Sequence, residues 1–481
     1  MEYNIEETYT ELVEAVNLVM NPCTSANQRA EAHKMLEAFK ETSPLCAKCG
    51  FLLSAKGNHP TIRHFGLRLI DHYLKLHWND IDCEEKLWIK DNVIQLIGTD
   101  AESATKEETY IKDALSRIVV EIIKREWPQQ WPSLMEELHA LCTMGDSQTE
   151  LVLLVFLRLA EDIVQFQNIP EQRRKEIYKT LCSHLNELFA FFLKTVSENC
   201  NKYFSNKQSG ILTKARMHCR VAQVALETLS VFVEWVPVNH ITETSLIKHL
   251  CVLLEDEELR THAAQCLLSI LDRKGKFEDR KELMLLVFDE NSIFIPASAV
   301  DVVNEQHYLF LKVLCQMLVA LGVNLCGVMA QFPNLEVPKT FSKYLNSILL
   351  FSKHPSMVLS HQTQNLWMAI FRSPSISQSP TLHEIIPNLL LCEAEKLLKP
   401  NSPLEYDLES PTDCLKFDTE EDFEASFNRY RADVIDVIRF ITKIQPKLSF
   451  SLGSSLLKSL IHGEGWTQVF GSSVSRNKNL K

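Results

Sequence analysis

Two cysteines and two histidines near the N-terminus have a spacing that could bind zinc. Cys46-x2-Cys49 is followed by His59-x4-His64, which is superficially the ligand order of a Cys2His2 zinc finger. A finger needs about 12 residues between the two ligand pairs, whereas nine residues separate Cys49 from His59. His64 also lies beside Phe65 within a helical apolar pattern. We therefore interpret the four side chains as thiols and imidazoles at helix ends, and predict no metal site.

Motifs for catalysis or nucleotide binding are absent from the sequence. It contains no Gly-x-Ser-x-Gly, no phosphate-binding loop, no Gly-x-Gly-x-x-Gly and no His-Glu-x-x-His. Together with the repeated helical pattern described below, this favours a protein that binds other macromolecules. We predict no catalytic residues, no enzymatic activity and no cofactor of its own.

The composition limits the fold class. The chain has 481 residues, of which 46% are hydrophobic and 23% charged, enough apolar material for a buried core. It contains only 13 glycines. Tight hairpins, barrel corners and phosphate loops all favour glycine at positive φ, so an α/β or all-β fold is disfavoured. The composition therefore predicts an all-α protein.

Charge, cysteine content and hydropathy indicate the setting in which the protein works. The net charge of −12 opposes attraction of the whole chain to nucleic acid, so any such contact must come from a local patch. Fourteen cysteines follow an acidic N-terminus without a secretory signal, which indicates buried thiols in a reducing compartment. We expect no apolar run near the roughly 20 residues of a membrane span, and hence a soluble intracellular protein without a membrane partner.

Apolar residues recur with helical spacing along much of the chain. Separate stripes begin at Ile62, Ile111, Val152, Ala222 and Leu259. Most neighbouring stripes lie about 40 to 50 residues apart, the period of helix-pair repeats of HEAT or armadillo type. The sequence therefore predicts a HEAT-repeat α-solenoid, a superhelical stack of antiparallel helix pairs.

The repeats are expected to divide into regions. Residues 1–110 and 111–300 form the first two, and residues 301–462 hold further repeats around an acidic, proline-rich loop at about 399–423. Residues 463–481 have no period and are expected to form an irregular tail. Because the last helical pattern lacks the polar outer face of a terminal repeat, we expect a truncated form of a longer solenoid.

Two Trp-Pro pairs mark a boundary between helices. Proline cannot continue a helix and favours an extended conformation in the preceding residue, so Pro128 should make Trp127 the end of one helix. Pro132 suits the first position of the next helix, where its missing N–H needs no partner. We predict that Trp127 and Trp131 bury their indoles against adjoining repeats.

Charged segments are candidate docking surfaces. Acidic runs occupy residues 255–258 and 418–424, and basic runs occupy 173–175 and 273–281. The simpler interpretation of each run is a solvated loop end. The alternative is a docking surface, acidic runs for a basic protein and basic runs for phosphate.

Three arginines follow the acidic loop on one predicted helix. Arg431 and Arg439 are eight residues apart, which turns them by about 80° around a helix, so both could point into the concave face. Arg429 flanks them. A row of guanidinium groups is suited to phosphate contacts that carry no sequence preference.

Three longer segments strongly resemble the N-terminal part of the exportins, a family of nuclear transport receptors. They are TIRHFGLRLIDHYLKLHWN (61–79), IKDALSRIVVEIIKREWPQQWPSL (111–134) and QTELVLLVFLRLAEDIVQFQNIPEQRRKEI (148–177). The Trp-Pro pairs identify only the superfamily. The longer runs, with RKGKFEDRK and DTEEDF, are more specific and are most similar to exportins that carry structured RNA hairpins. The resemblance extends from about Glu6 to Leu448.

The resemblance implies a receptor for two ligands together. These are Ran in its GTP form and double-stranded RNA hairpins with a short 3′ overhang, such as microRNA precursors. The GTP is carried by Ran, and its hydrolysis releases the cargo. Nucleoporin Phe-Gly repeats and double-stranded-RNA-binding proteins are further implied partners, and the receptor would shuttle between nucleus and cytoplasm.

The resemblance also implies where these partners bind. Residues 1–110 would be the importin-β-like, Ran-binding region and residues 111–300 repeats of exportin N-terminal type. Ran contacts are expected from exposed residues on the concave side of the second helices of the first repeats, for which the candidates are Arg63, Arg68, Lys112, Arg117 and Glu150. The candidates for RNA contacts are Arg429, Arg431 and Arg439.

Other functions remain open on the sequence. A protein-cargo importin or exportin of the same superfamily would share the Ran-binding end but lack salt-sensitive RNA binding. A structural HEAT scaffold, such as a phosphatase regulatory subunit, would show no dependence on Ran. An enzyme is the alternative that the motifs favour least.

Overall fold

The chain is built from α-helices. The structure is a computed structural model and describes residues 4–98, 108–163, 169–290, 293, 304–397 and 419–461. Within these ranges there is no β-strand, which confirms the predicted all-α class. The helices are α1 Ile5–Met20, α2 Ala26–Thr42, α3 Cys46–Ser54, α4 Pro60–His77, α5 Cys83–Gly98, α6 Thr109–Glu126, α7 Leu134–Met144, α8 Asp146–Glu161, α9 Glu171–Ser183, α10 Leu185–Gln208, α11 Leu212–Phe232, α12 Val238–Thr242, α13 Leu246–Leu253, α14 Arg260–Leu271, α15 Phe277–Asp289, α16 Glu305–Gln331, α17 Phe341–Lys353, α18 Met357–Arg372, α19 Pro374–Ser377, α20 Pro380–Lys396, α21 Glu420–Ile444 and α22 Pro446–Ile461.

The helices pack as pairs, and the pairs pack side by side. The chain divides into two compact units, Met1–Trp235 and Val236–Lys481. In the first unit α3 pairs with α4, α5 with α6, α7 with α8 and α10 with α11, while α4, α6, α8 and α11 form a row in which each contacts the next. In the second unit α14, α16, α18 and α21 form a similar row. This arrangement is that of HEAT-like helix-pair repeats, as the periodicity predicted. The predicted boundaries at residues 110 and 300 stay predictions.

Small residues allow close packing within a pair. A Cβ atom added at Gly66 in α4 would lie 2.6 Å from the carbonyl oxygen of Gly50 and 2.8 Å from the Cβ of Leu53, both in α3. Ala263 and Ala264 in α14 are completely buried. The sequence analysis predicted helices from the apolar stripes that contain these residues, and the structure shows that their small side chains bring neighbouring helices into contact.

The Trp-Pro segment forms the turn between α6 and α7. Trp127 is the extended C-cap residue of α6, as predicted from Pro128, and its N–H donates to the Ile123 carbonyl at 3.1 Å. Trp127 and Trp131 are 2% and 4% exposed, which confirms that both indoles are buried. The expected position of Pro132 is wrong. It lies in the turn, because the next helix begins only at Leu134.

Arg173 fastens this turn to the following repeat. Its Nε donates to the carbonyl of Lys124 at 2.9 Å, and one of its terminal nitrogens donates to the carbonyl of Trp127. Another terminal nitrogen donates to Oε1 of Gln129 at 2.6 Å. The last carbonyls of a helix have no partner within the helix, so the guanidinium of α9 completes the end of α6.

The longest helix corrects the expectation about membrane spans. By length and composition alone, α16 could cross a membrane, since its apolar window has a mean hydropathy of 2.0. The expectation that no apolar run approaches that length is therefore wrong. Half of this window is buried inside the protein, where α16 contacts α14, α15, α17 and α18. A helix that is covered on several sides needs apolar residues around most of its circumference.

The predicted acidic loop is shorter than expected at its C-terminal end. Thr419 caps α21 by accepting a hydrogen bond from the Asp422 N–H at 3.1 Å, so residues 420–423 are helical. Residues 399–418 of that loop and the tail at 463–481 lie outside the described residues.

Candidate protein and nucleic-acid interfaces

The cysteines and histidines of the zinc-like spacing lie in the interior and at a helix end. Cys46 and Cys49 are buried in α3, and the thiol of Cys46 donates to the Leu69 carbonyl at 3.6 Å. Burial raises the pKa of Cys46 to about 12 and also raises that of Cys49. His59 caps α4, with Nδ1 accepting from the Thr61 N–H at 3.4 Å. Protonated, buried thiols are poor metal ligands, which suits the interpretation of these residues as structural.

The row of α4, α6, α8 and α11 carries a ladder of ion pairs. Asp113 in α6 is bonded by Arg117 of the same helix at 2.9 Å and by Arg158 of α8 at 2.7 Å. Lys124 in α6 pairs with Asp162 beyond the end of α8 at 2.8 Å and also with Glu121. We call this set the charged ladder: Asp113, Arg117, Glu121, Lys124, Arg125, Arg158, Glu161 and Asp162.

The charged ladder borders a cleft. The cleft has a volume of about 450 Å³ and also receives Asp71 and Lys75 from α4 and Pro170 from the segment before α9. Acidic and basic side chains alternate along its walls, so it offers both signs of charge to a partner. A surface of this kind favours recognition of a protein with a complementary charge pattern.

Two acids of the charged ladder, Asp113 and Glu121, are held in the ionised form. Burial alone would raise the pKa of Asp113, but the hydrogen bond from Arg117 and the charge of Arg158 lower it below its ordinary value. Burial of Glu121 is likewise outweighed by hydrogen bonds from Lys124 and Arg125, and its pKa is lowered. These two carboxylates therefore keep their negative charge near neutral pH.

Three of the five candidate Ran-binding residues are accessible. Arg68 and Arg117 are exposed, on α4 and α6 respectively, and Arg117 lines the cleft. Arg63 is half-buried, and its Nε donates to the Ser54 carbonyl at 3.2 Å, so part of its guanidinium is used to join α4 to the end of α3.

The expectation that Lys112 and Glu150 are exposed is wrong. Lys112 is 7% and Glu150 is 3% exposed, and Nζ of Lys112 lies 2.6 Å from Oε2 of Glu150. Nε of Arg220 in α11 bonds the other carboxylate oxygen at 3.1 Å. The two side chains are buried because α8 packs against both α6 and α11 in the row and covers the side chains between the helices. The triad of Lys112, Glu150 and Arg220, in which only the first two side chains are buried, joins three repeats.

The three candidate RNA-binding arginines are exposed on α21. Phe427, Tyr430 and Val434 turn the apolar side of this helix toward Met357 and Leu397. Arg429, Arg431 and Arg439 are left in solvent, and Arg439 makes one ion pair with Asp436 of the same helix at 2.7 Å. The helical interpretation of this segment is confirmed, and the arginines are accessible as expected.

One buried and one partly buried polar contact, neither of which was predicted from the sequence, fix the orientation of α21. The hydroxyl groups of Tyr430 and Ser360 lie 2.6 Å apart, and Nε2 of His361 lies 2.8 Å from Oδ2 of Asp433. Both pairs join α21 to α18. A sliding or rotated packing of α21 would leave these groups unpaired, so the contacts set which side of the helix presents the arginines.

The basic runs have structural roles as well. Arg173 completes the end of α6, as described above. Arg273 donates to the Val236 carbonyl at 2.7 Å, and Arg280 and Lys281 lie against the rings of Phe277 and Phe332. The simpler interpretation, a solvated loop end, did not include these contacts, in which cations of the two runs cover a helix end and aromatic rings.

Sequence models of three protein families match the chain in succession. The Importin-beta N-terminal domain matches residues 32–99, the Exportin 1-like protein family residues 108–267 and the Exportin-5 family residues 305–476. These matches, with the helix-pair rows, define the class of protein as the importin-β, or karyopherin, superfamily of HEAT-like repeat proteins.

Curated relatives narrow the class to one family. Exportin-5 of Homo sapiens is 43% identical over 459 residues, which is 93% of this chain and 38% of the relative; Exportin-5 of Mus musculus gives the same figures. Exportin-5 of Dictyostelium discoideum is 27% identical over 440 residues, 90% of this chain and 38% of the relative. The chain belongs to the exportin-5 family and spans under two-fifths of the length of these relatives.

Proposed function

We propose that this chain acts in nuclear export by binding Ran-GTP together with double-stranded RNA hairpins that have a short 3′ overhang. Such cargo includes microRNA precursors and other structured small RNAs, carried from nucleus to cytoplasm. The main support is membership of the exportin-5 family. The two exposed charged surfaces described above are suited to a protein and to phosphates respectively. The chain would shuttle between the two compartments through contacts with nucleoporin Phe-Gly repeats.

The charged ladder supports a protein partner in the first unit. Arg68 and Arg117 project from neighbouring second helices, and Arg117 stands at the wall of a cleft whose charges alternate. Charge complementarity of this kind contributes mostly to association rate and to the choice of partner. We assign the Ran contact to Arg68, Arg117 and the accessible part of Arg63, and assign Lys112 and Glu150 to the interior that supports them.

The arginines of α21 support phosphate contacts in the second unit. A-form RNA has a deep, narrow major groove that side chains cannot enter, so double-stranded RNA is recognised by its shape and its backbone. Exposed guanidinium groups on a helix held in one orientation by Tyr430 and Asp433 match that mode. Because the whole chain carries a net charge of −12, binding must depend on such a local group of cations.

Discrimination between the nucleotide states of Ran tests the transport function directly. The chain is immobilised and incubated with Ran loaded with GTP or with GDP. We expect retention of the GTP form, and weaker retention by the double variant Arg68→Glu with Arg117→Glu. Arg429→Glu with Arg431→Glu, at two exposed arginines of α21, makes the same charge change and is the matched control. Equal or absent binding of both forms would remove the transport function and favour a structural scaffold.

A gel shift with a hairpin RNA tests the cargo. We expect affinity to fall steeply as salt increases, since each phosphate contact releases counterions. Arg431→Glu with Arg439→Glu should weaken hairpin binding and leave Ran binding unchanged. If the affinity for the hairpin does not change with salt, or is the same in the double variant, the arginines belong to the solvated surface. Either result would favour a protein cargo.

A further inference from the structure

An open groove in the first unit is lined by none of the residues proposed above for RNA or Ran contacts. It is formed by the last turn of α2, the segment that leads into α3, the last turns of α4 and the beginning of α5. Its volume is about 890 Å³. Ligand-binding clefts in proteins span about 300 to 1,000 Å³, so the groove is large enough for several residues of a peptide.

Aromatic rings form part of the wall of the groove. Trp88 is 37% exposed, and its position is fixed by edge-to-face packing on Phe51, with ring centroids 5.1 Å apart. The rings of Tyr73 and His77 lie 5.2 Å apart, and the Tyr73 hydroxyl donates to Oε1 of Glu85 at 2.9 Å. An exposed indole held in one orientation is the preferred surface for a cationic side chain.

The rim of the groove is strongly acidic and carries little compensating charge. Lys48 is its one lysine, and there is no arginine among the described lining residues. In the described part of the chain, no basic side chain lies within ion-pair distance of the rim carboxylates, in contrast to the charged ladder. These carboxylates are Glu41, Asp80, Asp82, Glu84 and Glu85.

Helix stability accounts for only some of these acids. Glu84 and Glu85 lie in the first turn of α5, where the helix dipole favours a negative charge, and Asp82 accepts from the Glu85 N–H at 2.8 Å. Glu41 lies in the last turn of α2, and Asp80 follows the end of α4. A carboxylate at a helix C-terminus is disfavoured by the dipole. Neither Glu41 nor Asp80 is stabilised by a helix N-terminus, and both line the groove.

The spread of the carboxylates decides which kind of cation they fit. A divalent metal needs several oxygen atoms around one point, and the described residues contain no group of three or more acids, histidines or cysteines that could hold one. Carboxylates placed along a rim, beside an exposed indole, instead match several positive charges spaced along a chain. The same charge repels the phosphates of RNA.

We propose that this groove binds an extended, cationic peptide segment of a protein partner. Lysine or arginine side chains of the segment pair with Glu41, Asp80 and Glu84, and one of them lies on the exposed face of Trp88. The segment brings neutralising charge to acids that form no ion pair with the described residues of the chain. The site shares no residue with the contacts proposed for Ran and RNA. A failure of the peptide proposal would therefore leave those two proposals unchanged.

Fluorescence anisotropy with a labelled 12-residue peptide, in which arginine or lysine alternates with glycine or serine, tests the site. We expect saturable binding that weakens with salt. Asp80→Lys with Glu84→Lys should weaken it at least tenfold, and Trp88→Ala several-fold. The matched control is Glu255→Lys with Glu257→Lys, which makes the same charge change on an exposed acidic run of the second unit and should alter affinity less than twofold.

Three results would overturn the proposal. The first is equal affinity of the Asp80 and Glu84 variant and the parent. The second is equal binding of a peptide in which glutamate replaces every basic residue. The third is displacement of the peptide by an equimolar amount of magnesium or calcium, which would indicate a metal site. The neutral pair Asp80→Asn with Glu84→Gln, checked by circular dichroism, separates lost binding from lost folding.

Discussion

The triad of Lys112, Glu150 and Arg220 between α6, α8 and α11 allows a sharp test of which charged residues hold the repeats together. The perturbation is Glu150→Leu, which leaves Lys112 buried with no carboxylate beside it. Nζ of Lys112 lies 2.6 Å from Oε2 of Glu150. At an effective dielectric constant of about 20, unit charges at that distance attract by about 6 kcal/mol before desolvation is counted. Removing one partner of a buried pair typically costs about 3 to 5 kcal/mol, and we expect a loss in this range.

The double variant Lys112→Met with Glu150→Leu separates the pair from its individual charges. It places apolar side chains of similar length in the same space, so most of the stability lost in the single variant should return. Arg220 then loses Glu150 as its partner, but its side chain is 39% exposed and can be hydrated. The expected difference between the double variant and the parent is about 1 kcal/mol or less.

Urea unfolding followed by circular dichroism measures these changes, and hydrogen exchange of α6 and α8 locates them. The single variant should accelerate exchange in both helices, and the double variant should restore protection. A single variant that loses less than about 1 kcal/mol would refute the structural role. If the double variant is as unstable as the single variant, the loss of stability does not come from an unpaired buried charge, and the expected loss of about 3 to 5 kcal/mol has the wrong basis.

Two further predictions concern the interior. Trp127→Ala should lower the free energy of unfolding by about 3 kcal/mol, because the indole is buried; a loss below about 1 kcal/mol in urea unfolding would contradict the burial. Glu393 is completely buried between α18 and α20, where it accepts from Nε2 of Gln364 at 3.1 Å, and burial raises its pKa from 4.5 to about 7. The folded state therefore binds a proton that the unfolded state has released, and the free energy of unfolding should fall as pH rises from about 4.5 to about 7, by about 3 kcal/mol. The same dependence should appear as a melting temperature that falls as pH rises. Glu393→Gln should remove this decrease, whereas Glu384→Gln, at an exposed residue of the same helix, should retain it.

The polar contacts that could not be predicted from the sequence join residues that are far apart in the chain. Arg173 completes the end of α6 from α9, three helices further along the chain, and the hydroxyl of Ser360 contacts that of Tyr430, 70 residues away. Neither contact could be predicted from the sequence, because a basic run and a serine in a helical pattern are both typical of solvated surface. A buried partner becomes visible only when the neighbouring helix is in place.

The sequence by itself determined the helical class, the repeat period and the end of α6 at Trp127, since these depend on contacts within one turn and on the geometry of proline. It also determined that Arg429, Arg431 and Arg439 share a helix and are hydrophilic. The tertiary structure decided which charges reach solvent. Lys112 and Arg117 both lie on α6, yet the first is covered by α8 and α11 and the second lines a cleft. Helical period fixes the angle of a side chain around its own axis, and only the packing of helices distant in sequence fixes whether that direction is occupied by water or by another helix.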